Sequence, residues 1–215
     1  MAGILAVWND CAPEGHAHYE RWYMREHLFE RVGVPGFRFG RRYEAIAADR
    51  GYFTFYEVDD PAVLVSPAYL AQLESPTPWT LAAMAHFRGM IRTVCDLAGK
   101  AGRLGGGHAL CLRCDHEPPT ADAARLHALW EDLPGVVRTQ VWRAAAAQTP
   151  PTAEGRSRGG RDAMVAGAVV MECARPSDLE AVAARLDAGA AAGHGIPASA
   201  VRGTYRLMVM HAHGE

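Results

Sequence analysis

A Pro-Gly step occurs twice in this chain, as Pro35-Gly36 and as Pro134-Gly135, and the residues after each copy align. Phe37 matches Val136, Tyr43 matches Trp142 and Ala45 matches Ala144 without a gap. Further on, Glu57-Val58-Asp59-Asp60-Pro61 returns as Glu172-Cys173-Ala174-Arg175-Pro176, and Phe87-Arg88-Gly89-Met90 is echoed by Tyr205-Arg206-Leu207-Met208. Punctuation repeated at long period means that one structural unit is used twice. The chain is thereby restricted to folds with two similar halves.

The first half shows what the unit is. Ile4 to Asn9 is a short apolar run suited to a buried strand, followed by a turn-rich break over Asp10 to Gly15. A helix fits about Glu14 to Val32, stopped by Val34-Pro35-Gly36 because proline cannot continue it and glycine supplies the turn. Phe37 to Ile46 reads as a strand, joined through Ala48-Asp49-Arg50-Gly51 to the aromatic and β-branched strand Tyr52 to Val58. Asp59-Asp60-Pro61 opens a helix around Ala62 to Leu73, and Pro78 starts a second short one through Ala85. His86 to Leu97 closes the unit as a strand.

The order is therefore βαββαβ. A glycine-rich stretch over 99–107 separates residues 1–100 from a second, degenerate copy over 101–215. The second copy carries an insertion, Ala147 to Asp162, without apolar period, which is expected to be a mobile hairpin loop. One βαββαβ unit is a four-stranded antiparallel sheet with both helices on one face, so its other face needs cover. A second copy supplies it. The expected fold class is α+β: two tandem ferredoxin-like repeats fused into a barrel with helices outside, compatible with either a monomer or a homodimer.

Composition narrows the partners. The 215 residues are 49% hydrophobic and 21% charged, with a formal net charge of −2. That is a globular balance without the basic patch that nucleic acid or an anionic membrane surface requires. The apolar run Gly3 to Trp8 is too short to span a membrane or act as a signal, so a cytoplasmic location is expected. Cys11, Cys95, Cys111, Cys114 and Cys173 form an odd set read as reduced thiols. Cys111 and Cys114 fall in an expected strand, where residues three apart face opposite ways, so no metal site is expected.

The chemistry concentrates on the first helix. Tyr19, Trp22, Tyr23, Glu26, His27 and Glu30 recur at spacings of three and four and share one stripe. Histidine titrates near neutral pH, so His27 is the candidate acid or base, with Tyr23 or Glu26 to polarise it. The plainer reading is a surface histidine beside a solvated glutamate. Against it stands the second copy, where Leu126 occupies the aligned place among Ala123 and Ala124. Packing would be served by either set, so the asymmetry assigns a site to the first half only.

Ligand-binding candidates are Asn9 on the first strand, Arg42 on the second, Tyr56 on the third, and His86 and Arg88 at the fourth, with Asp10 and Arg92 nearby. Trp8, Trp22 and Trp79 are candidates for an aromatic wall, although core packing is the commoner use of tryptophan. No cofactor is expected. Haem is the alternative, with His27, His86 or His108 as its axial ligand, but none has a distinguishing motif.

The combination Tyr19-x-x-Trp22-Tyr23-x-x-x-His27, then Val34-Pro35-Gly36 and an aromatic strand, resembles the EthD-like branch of the dimeric α+β barrel superfamily. The resemblance covers the first half well and the second in pattern. It implies that His27 lines a cleft between one sheet and its outer helices. The superfamily includes cofactor-free dehydratases, cyclases, isomerases and monooxygenases as well as haem enzymes. The expected function is a cofactor-independent lyase, isomerase or cyclase acting on a small aromatic or polyketide-like metabolite by His-mediated proton transfer. The alternatives are a non-catalytic barrel holding a small hydrophobic ligand, or a haem-binding or monooxygenase member.

Overall fold

The computed structural model describes residues 1–159 and 162–214. The first half runs β1 (Gly3–Cys11), α1 (His16–Trp22), a π-helical turn (Tyr23–His27), α2 (Leu28–Val32), β2 (Phe37–Ala47), β3 (Tyr52–Val58), α3 (Pro67–Glu74), α4 (Pro78–Met84) and β4 (Phe87–Ala101). The second runs β5 (His108–Cys114), α5 (Ala123–Ala128), β6 (Val136–Ala144), α6 (Ala153–Ser157), β7 (Gly167–Cys173), α7 (Pro176–Asp187) and β8 (Val201–Ala212).

The strands close an eight-stranded antiparallel barrel in the order β1-β3-β2-β8-β5-β7-β6-β4. The halves meet where β2 pairs with β8 and β4 with β6. Within each half the order is the same, β4-β1-β3-β2 and β8-β5-β7-β6. The likeness reaches single bonds. Gly36 accepts a backbone bond from Asp59 at 2.8 Å, and Gly135 accepts one from Ala174 at 2.8 Å. The register slips by one residue between Phe37 and Phe39 against β3, and again between Val136 and Arg138 against β7.

Strand alternation sorts side chains between two environments. Ile4, Ala6 and Trp8 point into the barrel with Tyr43, Phe53 and Phe55, where they meet Cys111, Trp142, Val170 and Tyr205 of the second half. Both halves thus share one interior core, and burying a large side chain there contributes about 2–3 kcal/mol. Leu5 and Val7 point outward against the first half's helices, while Leu110, Leu112 and Met171 face those of the second half.

Three boundaries differ from the sequence expectation. The helix expected over 62–73 is a 3-10 turn, Pro61–Val65, followed by α3. Pro67 bars continuous helix through the residue before it, and Ser66 caps the new start by accepting from the Tyr69 amide. Strand β4 runs on to Ala101, so the glycine stretch begins inside a strand paired with β6. The expected loop over 147–162 is more than loop, because it carries α6 and buries Thr152 and Glu154. Residues 160 and 161 of that segment lie outside the described residues. Among the described residues no helix is long and apolar enough to cross a membrane.

Candidate functional site

The first helix does not run evenly. Between α1 and α2 it opens into the π-turn Tyr23–His27, where the Leu28 amide reaches back five residues to the Tyr23 carbonyl. Such a turn holds more residues than an α-turn and rotates the helix beyond it, and it is frequent at functional sites. Here it brings Tyr23, His27 and Arg31, four residues apart, onto one cavity of about 30 Å³. Leu5, Val7 and Asn9 of β1 and Tyr56 of β3 form the sheet side, with Tyr69, Met84, Phe87 and Met90 around the edge. Arg92 of β4 and Glu154 and Arg158 from the inserted segment complete it.

His27 is buried and its Nδ1 has no hydrogen-bond partner. Its ring lies 4.2 Å from the Trp22 ring and 4.9 Å from that of Tyr23, centre to centre. Burial holds its pKa well below the ordinary histidine value, and the positive charges of Arg31, Arg42 and Arg158 depress it further. The ring is therefore neutral at pH 7. Arg31, also buried, forms an ion pair with Glu154, while its Nη1 is unpartnered. Glu154 also pairs with Arg158 at 3.4 Å, and Arg158 reaches Asp162 at 2.5 Å.

Hydroxyls line the other side. Tyr23 and Tyr56 share a hydrogen bond of 2.9 Å, and Arg92 donates to the Tyr69 oxygen at 2.9 Å and to Thr149 at 3.0 Å. Burial, with the Tyr23 oxygen beside it, pushes the Tyr56 phenol well above its usual range, so it stays protonated. Among the described residues Arg92 has no carboxylate partner. A second hollow of about 710 Å³ adjoins the first and shares Arg92, Glu154 and Arg158 with it.

Of the residues singled out from sequence, His27, Tyr23, Asn9 and Tyr56 line the cavity. Arg42 lies behind it, fully buried, with its guanidinium carbon 3.7 Å from the centre of the Tyr23 ring and 4.2 Å from that of Tyr52. Trp22 backs His27 and donates to Thr80 at 3.1 Å. Glu26 is turned away. It accepts from Thr77 at 2.6 Å and Thr80 at 3.1 Å, at the start of α4. Trp8 faces the barrel interior, stacked on Phe53 at 5.2 Å, and therefore lies on the wrong face of β1 for the cavity.

Trp79 and His86 sit instead around His18, with ring centres 6.4 and 6.1 Å from it. Arg88 is exposed, binds the carbonyls of Ala85 and Phe87 at 2.8 Å, and borders a separate hollow of about 320 Å³. The expected aromatic wall of Trp8, Trp22 and Trp79 does not form.

Arg31, Tyr69, Glu154 and Arg158 escape a reading of the sequence alone. Arg31 carries a signal, since it follows His27 by four residues on the same helix. Glu154 and Arg158 have only their own spacing, inside a segment without apolar period.

No protein-family model matches the chain, and no curated protein matches it. Its fold does match solved structures. An anthrone oxidase-like protein superposes with a TM-score of 0.58 at 11% identity, covering 100% of this chain and 94% of that one. A candidate monooxygenase from Fusobacterium nucleatum gives 0.56 at 8% identity over 99% and 95% of the two chains. One from Lactobacillus acidophilus gives 0.53 at 10% identity over 100% and 98%. The fold that this chain shares with them is an α+β barrel, here closed by eight antiparallel strands.

Proposed function

We propose that the chain is a cofactor-independent enzyme of the EthD-like branch, built from two fused ferredoxin-like repeats, in which His27 moves a proton at an activated carbon of a small aromatic or polyketide-like metabolite. The observation that carries this reading is a neutral, buried His27 with an unpartnered Nδ1, in a cavity holding three guanidinium groups and one carboxylate. The matching strand order and register slip of the two halves support the repeat.

A neutral imidazole is a base at pH 7. When it takes a proton from a carbon beside a carbonyl, the electron pair of the broken C–H bond moves onto oxygen. Arg31, Arg92 and Arg158 supply a fixed positive field for that oxyanion, in a site sheltered from water. The same charges make the imidazolium costly, so the proton passes on, either to another carbon in an isomerisation or to a departing hydroxyl in a dehydration. The Tyr56 phenol is placed to donate to the substrate oxygen.

The described lining of the 710 Å³ hollow contains neither histidine nor cysteine to hold a haem iron.

The test is exchange of the methylene protons of anthrone in deuterated water, followed by NMR without oxygen. Wild type is expected to accelerate exchange over buffer, and His27→Gln to lose about 100-fold or more of that acceleration. Because the His27 pKa lies well below its ordinary value, the acid limb of the rate should fall below pH 6.5. Equal rates for wild type and H27Q would overturn the proposal.

A further inference from the structure

We propose that the site selects substrates bearing a carboxylate on an aromatic body, and that Glu154 holds the place of that carboxylate until substrate displaces it. This rests on the same site as the proton-transfer reading but concerns binding alone.

Arg31 is 3% exposed and its charge is met by one carboxylate, contributed from 123 residues away. Only Nη2 is engaged by Glu154, while Nη1 is left as an unpartnered buried donor on a residue lining the cavity. A guanidinium offers parallel donors that match the two oxygens of a carboxylate, so a single contact leaves its recognition geometry half used. Arg92 stands where the small cavity meets the 710 Å³ hollow, and its guanidinium donates to the hydroxyls of Tyr69 and Thr149. The hollow is large enough for a bicyclic or tricyclic body, with Leu73, Pro150, Pro151 and Met164 for its apolar surface. An acid entering there meets Arg92 first and Arg31 behind Glu154.

Helix α6 is five residues long and is tied to α3 through Glu74, which accepts from the Ala153 amide and from Arg156, both at 3.2 Å and exposed. Exposed ion pairs contribute little to holding a segment down. Exchange of one carboxylate for another on Arg31 conserves the charge balance of the cavity, so displacement leaves no buried guanidinium uncompensated.

The experiment is a calorimetric titration of wild type, Glu154→Gln and Arg31→Met/Glu154→Gln with 2-naphthoate and with its neutral counterpart 2-naphthalenemethanol. Thermal melts with each probe run alongside. Wild type should bind the acid at least tenfold more tightly than the alcohol. E154Q should bind the acid several-fold more tightly still, with its lowered Tm restored by naphthoate. The double variant, which leaves no lone charge and should fold, is expected to lose the preference. A wild type that shows the preference but no proton exchange above buffer would sink the proton-transfer reading and leave this one standing. The proposal is overturned if the alcohol binds as well as the acid, if E154Q does not bind the acid more tightly, or if neither probe binds.

Discussion

The two halves of the barrel share one strand order but bury opposite kinds of side chain beneath their first helices. In the first, the helix over the sheet turns Tyr23, His27 and Arg31 inward. In the second, α5 turns Ala123 and Leu126 inward, and with Trp130 they join a solid apolar cluster of Leu112, Val169 and Met171. His27 and Leu126 are aligned residues and both are buried. Burying a neutral ring and a guanidinium costs free energy unless something compensates, and the compensation comes from the other half, through Glu154 on its insertion. The polar helix and the insertion belong together. The second half, without a polar helix, needs no such insertion from the first, where β2 and β3 are joined by a short turn.

The largest expected effect comes from cutting that tie. Glu154→Ala leaves Arg31 charged, buried and unpaired, and should destabilise the fold by about 3–5 kcal/mol in urea denaturation. A loss under about 1 kcal/mol would mean that water reaches Arg31 and that the halves are not coupled through it. Arg31→Met with Glu154→Ala should recover most of the loss, since no lone charge remains.

Exchanging the aligned residues tests whether the scaffold or the surroundings make the site. Leu126→His places a polar ring against apolar neighbours with no designed partner, and should cost about 2–3 kcal/mol. The reverse change, His27→Leu, should alter stability by less than about 1 kcal/mol, since the side chains are similar in volume and an unpartnered nitrogen is removed, while proton exchange is lost. If L126H is as stable as wild type, the second half tolerates the polar group, and the asymmetry in sequence says nothing about function.

Acid should separate the halves in the same way. The folded His27 pKa lies well below its ordinary 6.5, so the unfolded chain takes up a proton at this residue before the folded one does. The stabilisation is complete above about pH 6.5 and is lost as pH falls from there toward the folded value. The slope attributable to this one group is about 1.4 kcal/mol per pH unit. H27Q should lack that slope, and every other titrating group cancels in the difference between the two proteins. Parallel curves between pH 5 and 7 would show that His27 is not held neutral.

Turns and bulges are legible in the sequence because they leave local marks: Pro35-Gly36 and Pro134-Gly135 make the same backbone bond, and Glu57 and Glu172 stand at the same register slip. The stripe of the first helix is legible only in part. Even 3.6-residue spacing groups Glu26 and Glu30 with His27, but the π-turn rotates the helix so that Arg31 comes in and Glu26 goes to Thr77. Trp8 is misplaced for another reason. The run from Ile4 to Trp8 is apolar at every position, so alternation does not say which face is the interior. Glu154 and Arg158 lie at helical spacing within five residues of a segment whose composition signals loop, and a contact across 123 residues leaves no local trace.

The smallest effect tests the hydroxyl pair that the second half lacks. Tyr56 aligns with Met171, which packs in the apolar cluster on the corresponding face. Tyr23→Phe or Tyr56→Phe alone leaves the partner's buried oxygen without a hydrogen bond and should cost about 1 kcal/mol. Removing both leaves no orphan, so the double variant should cost less than the sum of the singles, with a coupling of several tenths of a kcal/mol. Strict additivity in this cycle would mean that each hydroxyl finds another partner in the cavity. The first half would then hold separate polar groups around His27 rather than one connected wall.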